Sequence, residues 1–331
     1  MVDVPVQAAE LKPMSLSELL DRTFTLYRNR FWLFCGLMVV PEIAIMACTL
    51  IVVVGFPVHV LPIAANPQNP FAVFQSLQAR IAPALLLIVA QLFFKALALG
   101  AVTAMVSEIY LGRAVSISAA YRTVRSRVFG LIGLIILLFL VAIVFVFAIF
   151  LAVGLVGALA TVALNAISPV ISIVVVVLMF LGGIVLALWL LMRFAVSIPV
   201  FVLEHKGVVD SMTRSGTLTR GHRGRILGAT IVMSIVVYVV QLFFGLPFVF
   251  MTFTYLKKGV LPLWLQIGQS VAGAVAAILA GPLLMITIAL IYYDVRIRKE
   301  AFDLETMMRA LETSAATGGN SGAPPPSQPA S

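Results

Sequence analysis

The sequence predicts an all-α, multi-pass membrane protein, and three observations carry that prediction. Of the 331 residues 62% are apolar and only 11% charged, well outside the balance of a soluble domain. The mean hydropathy is +1.13. The apolar residues fall in runs long enough to cross about 30 Å of hydrocarbon, and the basic residues fall almost entirely between those runs.

Residues 1–14 carry Asp3, Glu10 and Lys12 with no apolar run, so they read as a flexible start and not as a cleaved leader. The membrane domain is expected over 15–312. Leu16, Leu19, Leu20, Thr23, Phe24 and Tyr27 share one helical face, and Ser15 with Glu18 forms a capping-box pattern ahead of them. The first span is expected at 31–55 and the second at 82–107. A stretch with Ile117, Ala120, Tyr121 and Val124 on one face precedes the third run.

From Val128 to Leu203 there are 76 residues with one charge, Arg193, enough for two long spans or three short ones. Two spans keep Lys206, Arg214, Arg220, Arg223 and Arg225 on the side of Arg113, Arg122, Arg125 and Arg127; three would put them opposite. Two therefore fit, at 128–153 and 170–195, with the turn near Asn165, Ser168 and Pro169. A weaker amphipathic stretch around Val208, Met212 and Ser215 follows, then spans at 226–251 and 263–293. Helical spacing returns at Leu304, Met307, Met308 and Leu311. Residues 313–331 are Ser, Gly, Ala and Pro rich and are expected to be disordered.

With six spans, seventeen Lys and Arg lie on the side of the termini and three, Arg80, Lys257 and Lys258, on the other. That asymmetry predicts cytoplasmic termini, in a bacterial cytoplasmic membrane. A repeat is visible too. Arg28 and Arg30, Arg125 and Arg127, and Arg223 and Arg225 each precede an odd-numbered span, while Glu108, Glu204 and Asp294 close the even ones. Three hairpins of one design are expected, each led by a short cytoplasmic amphipathic helix. Such helices either lie in the headgroup layer or pack on the end of the bundle.

Little in the sequence points to catalysis. His59, His205 and His222 are scattered, with no HExxH, paired Cys or carboxylate cluster, so neither metal nor cofactor is expected. Cys35 and Cys48 are about 20 Å apart along one helix, too far for a disulfide. The net charge of +9 sits beside apolar spans, which favours anionic lipids over nucleic acid as the partner. Pro41, Pro199, Pro247 and Pro282 are expected to kink or break helices. Trp32, Trp189 and Trp264 flank spans as an aromatic belt does.

Three charges fall within spans: Glu42, Lys95 and Arg193. Counted from Arg30, Glu108 and Glu204, each lies roughly 16 to 20 Å from the inner boundary. Insertion of an unpaired charge there costs at least about 2.5 kcal/mol. Glu42 is thus expected to face Lys95, Arg193 or both, either as a structural pair or as a site for an ion, proton or headgroup; Arg193 could instead snorkel to the interface.

The ending from Tyr292 through Tyr293, Asp294, Val295, Arg296, Ile297 and Arg298 to Glu300, followed by Phe302 to Glu305, resembles that of a bacterial family of multi-pass proteins. So do Leu218 to Gly221, and Ser17 to Asp21 with Phe31 and Trp32. They look like the membrane domain that in some bacteria precedes a glycerophosphodiester phosphodiesterase catalytic domain. The resemblance implies a six-helix module, sometimes joined to a lipid-degrading enzyme. Only 19 residues follow Glu312, so the enzyme activity is not carried over.

The expected role is a non-enzymatic scaffold or accessory module linked to lipid or envelope processes. Its basic inner face would engage anionic lipids or a membrane-bound partner protein. The alternatives are a transporter or lipid translocator using the midplane charges and, less well supported, an inner-face hydrolase.

Overall fold

The computed structural model describes residues 14–55, 72–113, 115–165, 168–256 and 261–318. They are helical throughout, with no strand among them. The chain runs α1 (Leu16–Asn29), α2 (Phe31–Gly55), α3 (Ala72–Tyr110), α4 (Ile117–Arg125), α5 (Val128–Asn165), α6 (Pro169–Leu191), a 3-10 turn (Met192–Phe194), α7 (Ser197–Leu203), α8 (Val208–Leu218), α9 (Arg223–Leu256) and α10 (Leu263–Gly318). Six segments are long and apolar enough to cross a membrane: Phe31–Gly55, Pro83–Tyr110, Val128–Leu164, Pro169–Leu203, Arg223–Tyr255 and Leu263–Glu300. By length and composition the chain is a multi-pass membrane protein.

Neighbouring long helices pair in order, α2 with α3, α5 with α6, and α9 with α10. α10 is the centre, packing on α9, α2, α1 and α3. Half of its most apolar window is buried, against 6% for α5. The α5–α6 pair therefore stands to one side, joined to the rest near the start of α5 and through α7. Phe34, Leu37 and Met38 of α2 meet Ala101, Val102 and Met105 of α3 and Ile286, Ala289 and Leu290 of α10. A second cluster joins Leu19 to Val200, Ile226 and Tyr292, and a third joins Leu131 and Leu134 to Phe201 and Met212. The core thus concentrates at the end of the bundle where α1, α4 and α8 lie.

Several boundaries differ from expectation for physical reasons. α5 continues past residue 153 to Asn165 because neither a charge nor a breaker interrupts it. α6 ends at Leu191, before the expected 195, and its span resumes as α7. Pro199 lacks an N–H and its ring crowds the carbonyl of Ala195, one turn earlier. Past Tyr293 there is no break, and α10 runs on to Gly318, so residues 313–318 are helical where disorder was expected. Met14, expected to be flexible, is buried. Residues 1–13 and 319–331 lie outside the described residues.

Candidate functional site at the basic end of the bundle

The starts of α5 and α9 and the ends of α3, α7 and the membrane-crossing part of α10 meet at one end, and their charges form two networks. In the first, Asp294 is almost fully buried. Its Oδ1 accepts from the Met14 backbone N–H at 2.8 Å, and its Oδ2 accepts from Arg225 Nη1 at 2.8 Å and Arg298 Nε at 3.0 Å. Both guanidiniums also donate to the Met14 carbonyl, Arg298 at 2.7 Å. One carboxylate and two arginines thus clamp the backbone N–H and C=O of one residue at the head of α1, tying α1, α9 and α10 together. Ser15 then starts α1 as a capping box with Glu18.

In the second network Glu204, just past α7, receives Lys206 at 3.1 Å, Arg214 at 3.3 Å and the Tyr292 hydroxyl at 3.1 Å. Arg214 also reaches Glu300 at 2.5 Å. Glu300 pairs with Arg296, whose Nη1 donates to the Tyr292 hydroxyl at 3.0 Å. The ring closes through five side chains from α7, α8 and α10. Burial pulls the Glu204 carboxyl up, but Lys206, Arg214 and Tyr292 outweigh it and hold it below its ordinary 4.5. Beside the ring, Tyr293 donates to Ser107 at 2.8 Å and stacks on Tyr110 at 4.4 Å, under Arg22.

The paired arginines before the odd spans divide. Arg127 donates to the carbonyls of Phe201 at 3.2 Å and His205 at 2.9 Å, closing the C-terminal end of α7. Arg225 is committed to Asp294. These two turn inward, Arg127 onto carbonyls at the end of α7 and Arg225 onto a carboxylate within α10 and the carbonyl ahead of α1. Arg28, Arg30 and Arg125 are exposed. Arg223 lies 4.8 Å over the Trp189 ring. Among the described residues none of these four forms an ion pair.

The three span charges also divide. Lys95 pairs with Glu42, which is 4% exposed. Arg193 joins neither. It lies at the 3-10 turn, where α6 has already run about 33 Å from its start, so the expected three-charge cluster is a pair. The Arg193 carbonyl accepts from Ser215 at 2.9 Å and Thr219 at 3.2 Å of α8. Its side chain crosses Gly216, where a Cβ would stand 2.8 Å from Nε. Gly221, at φ +91°, turns the chain from α8 toward α9.

Met14 and Ser107 were not singled out from the sequence, and Arg214 and Glu300 were not linked to each other, because the partners that join them lie 86 or more residues away. Tyr27 and Tyr121 were placed on apolar faces, and their hydroxyls do further work. Tyr121 donates to the Leu37 carbonyl, the one that Pro41 leaves without its helical donor. Tyr27 donates to the Leu279 carbonyl at 2.5 Å, next to the Ile278 carbonyl that Pro282 leaves without its helical donor. Burial pushes both hydroxyls up, Tyr121 to about 12, so both keep the proton they donate. Among the described residues no group of three His, Cys, Asp or Glu could hold a metal ion.

A family model described as a domain of unknown function (DUF7847) matches residues 40–295. No curated protein and no solved structure matches the chain.

Proposed function

This chain belongs to the family described as domain of unknown function (DUF7847), and we propose that it is a non-enzymatic scaffold or accessory module of the bacterial cytoplasmic membrane. In this reading both termini are cytoplasmic, three hairpins of one design each follow a short amphipathic helix, and the basic end engages anionic lipid. One observation carries it: the charges at that end are sorted. Glu204, Glu300 and Asp294 hold helices together, and among the described residues Arg28, Arg30, Arg125 and Arg223 form no ion pair.

Next to these arginines stand Trp32, 83% exposed, and Phe129, 77% exposed. Each is two residues past the second arginine of its pair, which suits rings at headgroup level. The seventeen-to-three distribution of Lys and Arg supports the orientation. The likeness of the ending to membrane modules that precede phosphodiesterase domains supports a link to lipid processes. Transport through the midplane draws no comparable support, since Glu42 is enclosed and already neutralised by Lys95.

The test is thermal unfolding of the full chain in nanodiscs of phosphatidylglycerol or phosphatidylcholine. A ligand that binds only the folded state raises its melting temperature. The expected result is a higher melting temperature in the anionic lipid, with the difference shrinking as salt rises. Equal melting at low salt overturns the reading.

A further inference from the structure

Between α6 and α9 the surface opens into a groove of about 300 Å³ lined by Leu188 and Met192 on one side and Leu227, Thr230, Ser234 and Tyr238 on the other. Arg223, Leu227, Thr230, Ser234 and Tyr238 recur at i, i+4, i+7, i+11 and i+15, a single stripe of α9 with Arg223 at its head. From Leu227 to Tyr238 the stripe is about 16 Å long, the depth of one leaflet of a bilayer whose hydrocarbon is about 30 Å thick.

The polar groups along it are unspent. Among the described residues Arg223 Nε and Thr230 Oγ1 are buried without a hydrogen-bond partner. The Arg223 guanidinium carbon stands 4.8 Å from the ring centre of Trp189, which follows Leu188 of the groove wall. A fixed cation with a free N–H, above an apolar channel one leaflet deep that carries its own hydroxyls, matches a phospholipid. The phosphate meets the cation, the glycerol esters meet hydroxyl donors, and an acyl chain meets the apolar wall.

We propose that this groove is a specific site for one anionic phospholipid, with Arg223 holding the headgroup phosphate, the Thr230 hydroxyl facing an ester oxygen and one acyl chain lying along α9. The proposal rests on the reading that this end of the bundle faces an anionic leaflet. It goes beyond that reading by naming a single site, where a diffuse basic surface would show no preferred position.

The test uses the full chain with Trp32→Phe and Trp264→Phe, which leaves Trp189 as the sole tryptophan. It is reconstituted in vesicles where either phosphatidylglycerol or phosphatidylcholine carries brominated acyl chains. At equal mole fraction, brominated phosphatidylglycerol is expected to quench Trp189 about fivefold more effectively. A companion chain carrying Trp32→Phe and Trp189→Phe, with Trp264 as reporter, is expected to show a ratio near one. Arg223→Gln is expected to bring the Trp189 ratio to one, while Arg223→Lys keeps part of it. Thr230→Phe fills the groove without touching the charge and is expected to reduce quenching by both lipids. A Trp189 ratio near one in the parent overturns the site, as does an unchanged ratio in Arg223→Gln or undiminished quenching in Thr230→Phe. If the ratio is one while melting still depends on the headgroup, only this site fails; if both effects are absent, the wider reading falls with it.

Discussion

Asp294 takes the charge of two arginines and the N–H of Met14 into a buried position, and removing its charge leaves both cations facing a neutral amide. Asp294→Asn is expected to destabilise by about 3 kcal/mol or more, the range for breaking a buried pair, seen as a lower melting temperature of the protein in detergent. An Asp294→Asn, Arg225→Gln double variant is expected to lose less than the sum of the singles. Glu204 gives a pH signature. Its folded-state carboxyl is held below 4.5, so the stability it contributes is present above about pH 4.5 and is lost as pH falls through the lowered value. Glu204→Gln is expected to flatten the melting-temperature profile in that acid window and to lower it at pH 7; an unchanged acid slope would show that other groups set it. At this scale the sequence was partly legible. Pairing of Glu42 followed from the cost of a midplane charge, a constraint local to each span. For Arg193 the sequence left open both the cluster and a place at the interface, and the break ahead of Pro199 puts it at the 3-10 turn, away from Glu42; its contact with α8 was not legible. Nor was the Met14 clamp, whose partners are more than 200 residues away.

Each of the three short helices gives a hydroxyl to a carbonyl at or near a proline-disturbed point of a long helix. Tyr27 of α1 reaches Leu279 ahead of Pro282, Tyr121 of α4 reaches Leu37 ahead of Pro41, and Ser215 and Thr219 at the end of α8 reach Arg193 ahead of Pro199. A buried carbonyl left unpaired costs about 1–3 kcal/mol, so Tyr121 offsets what Pro41 removes, and all of these contacts hold the short helices in place. Tyr121→Phe is expected to lower the melting temperature in the parent. In a Pro41→Ala background the N–H of residue 41 can serve the Leu37 carbonyl, and the same change is expected to cost much less. Equal losses in both backgrounds would mean that Tyr121 acts through packing alone. The prolines and the helical faces were both readable from sequence, and so were the positions of the short helices. Their connection was not, since periodicity places a tyrosine on a face without saying which backbone it meets. α8 illustrates the same limit: its apolar pattern is the weakest of the three, yet Ser211, Ser215 and Gly216 let it pack closely and become buried.

For the whole molecule, charge parity across the run from Val128 to Leu203 led to six spans, and six segments long and apolar enough are present. Parity works because each crossing switches sides, a global constraint written in local composition. The lengths of α5 and α10 were less legible, since a helix without a breaker continues until packing or water ends it. Orientation is open to a direct check. Cysteine placed at Arg125 is expected to react with an impermeant maleimide only after the inner face is opened, and cysteine at Ser168 to react from outside; the reverse pattern would invert the topology. If Arg28, Arg30, Arg125 and Arg223 gather anionic lipid, native mass spectrometry of the full chain released from its membrane in mild detergent will show it. Anionic phospholipids are expected to be enriched on the protein over their share of the donor membrane, and the enrichment to fall when Arg28, Arg125 and Arg223 are changed to Gln. Retained lipid matching the bulk composition, or unaffected by those changes, would contradict it.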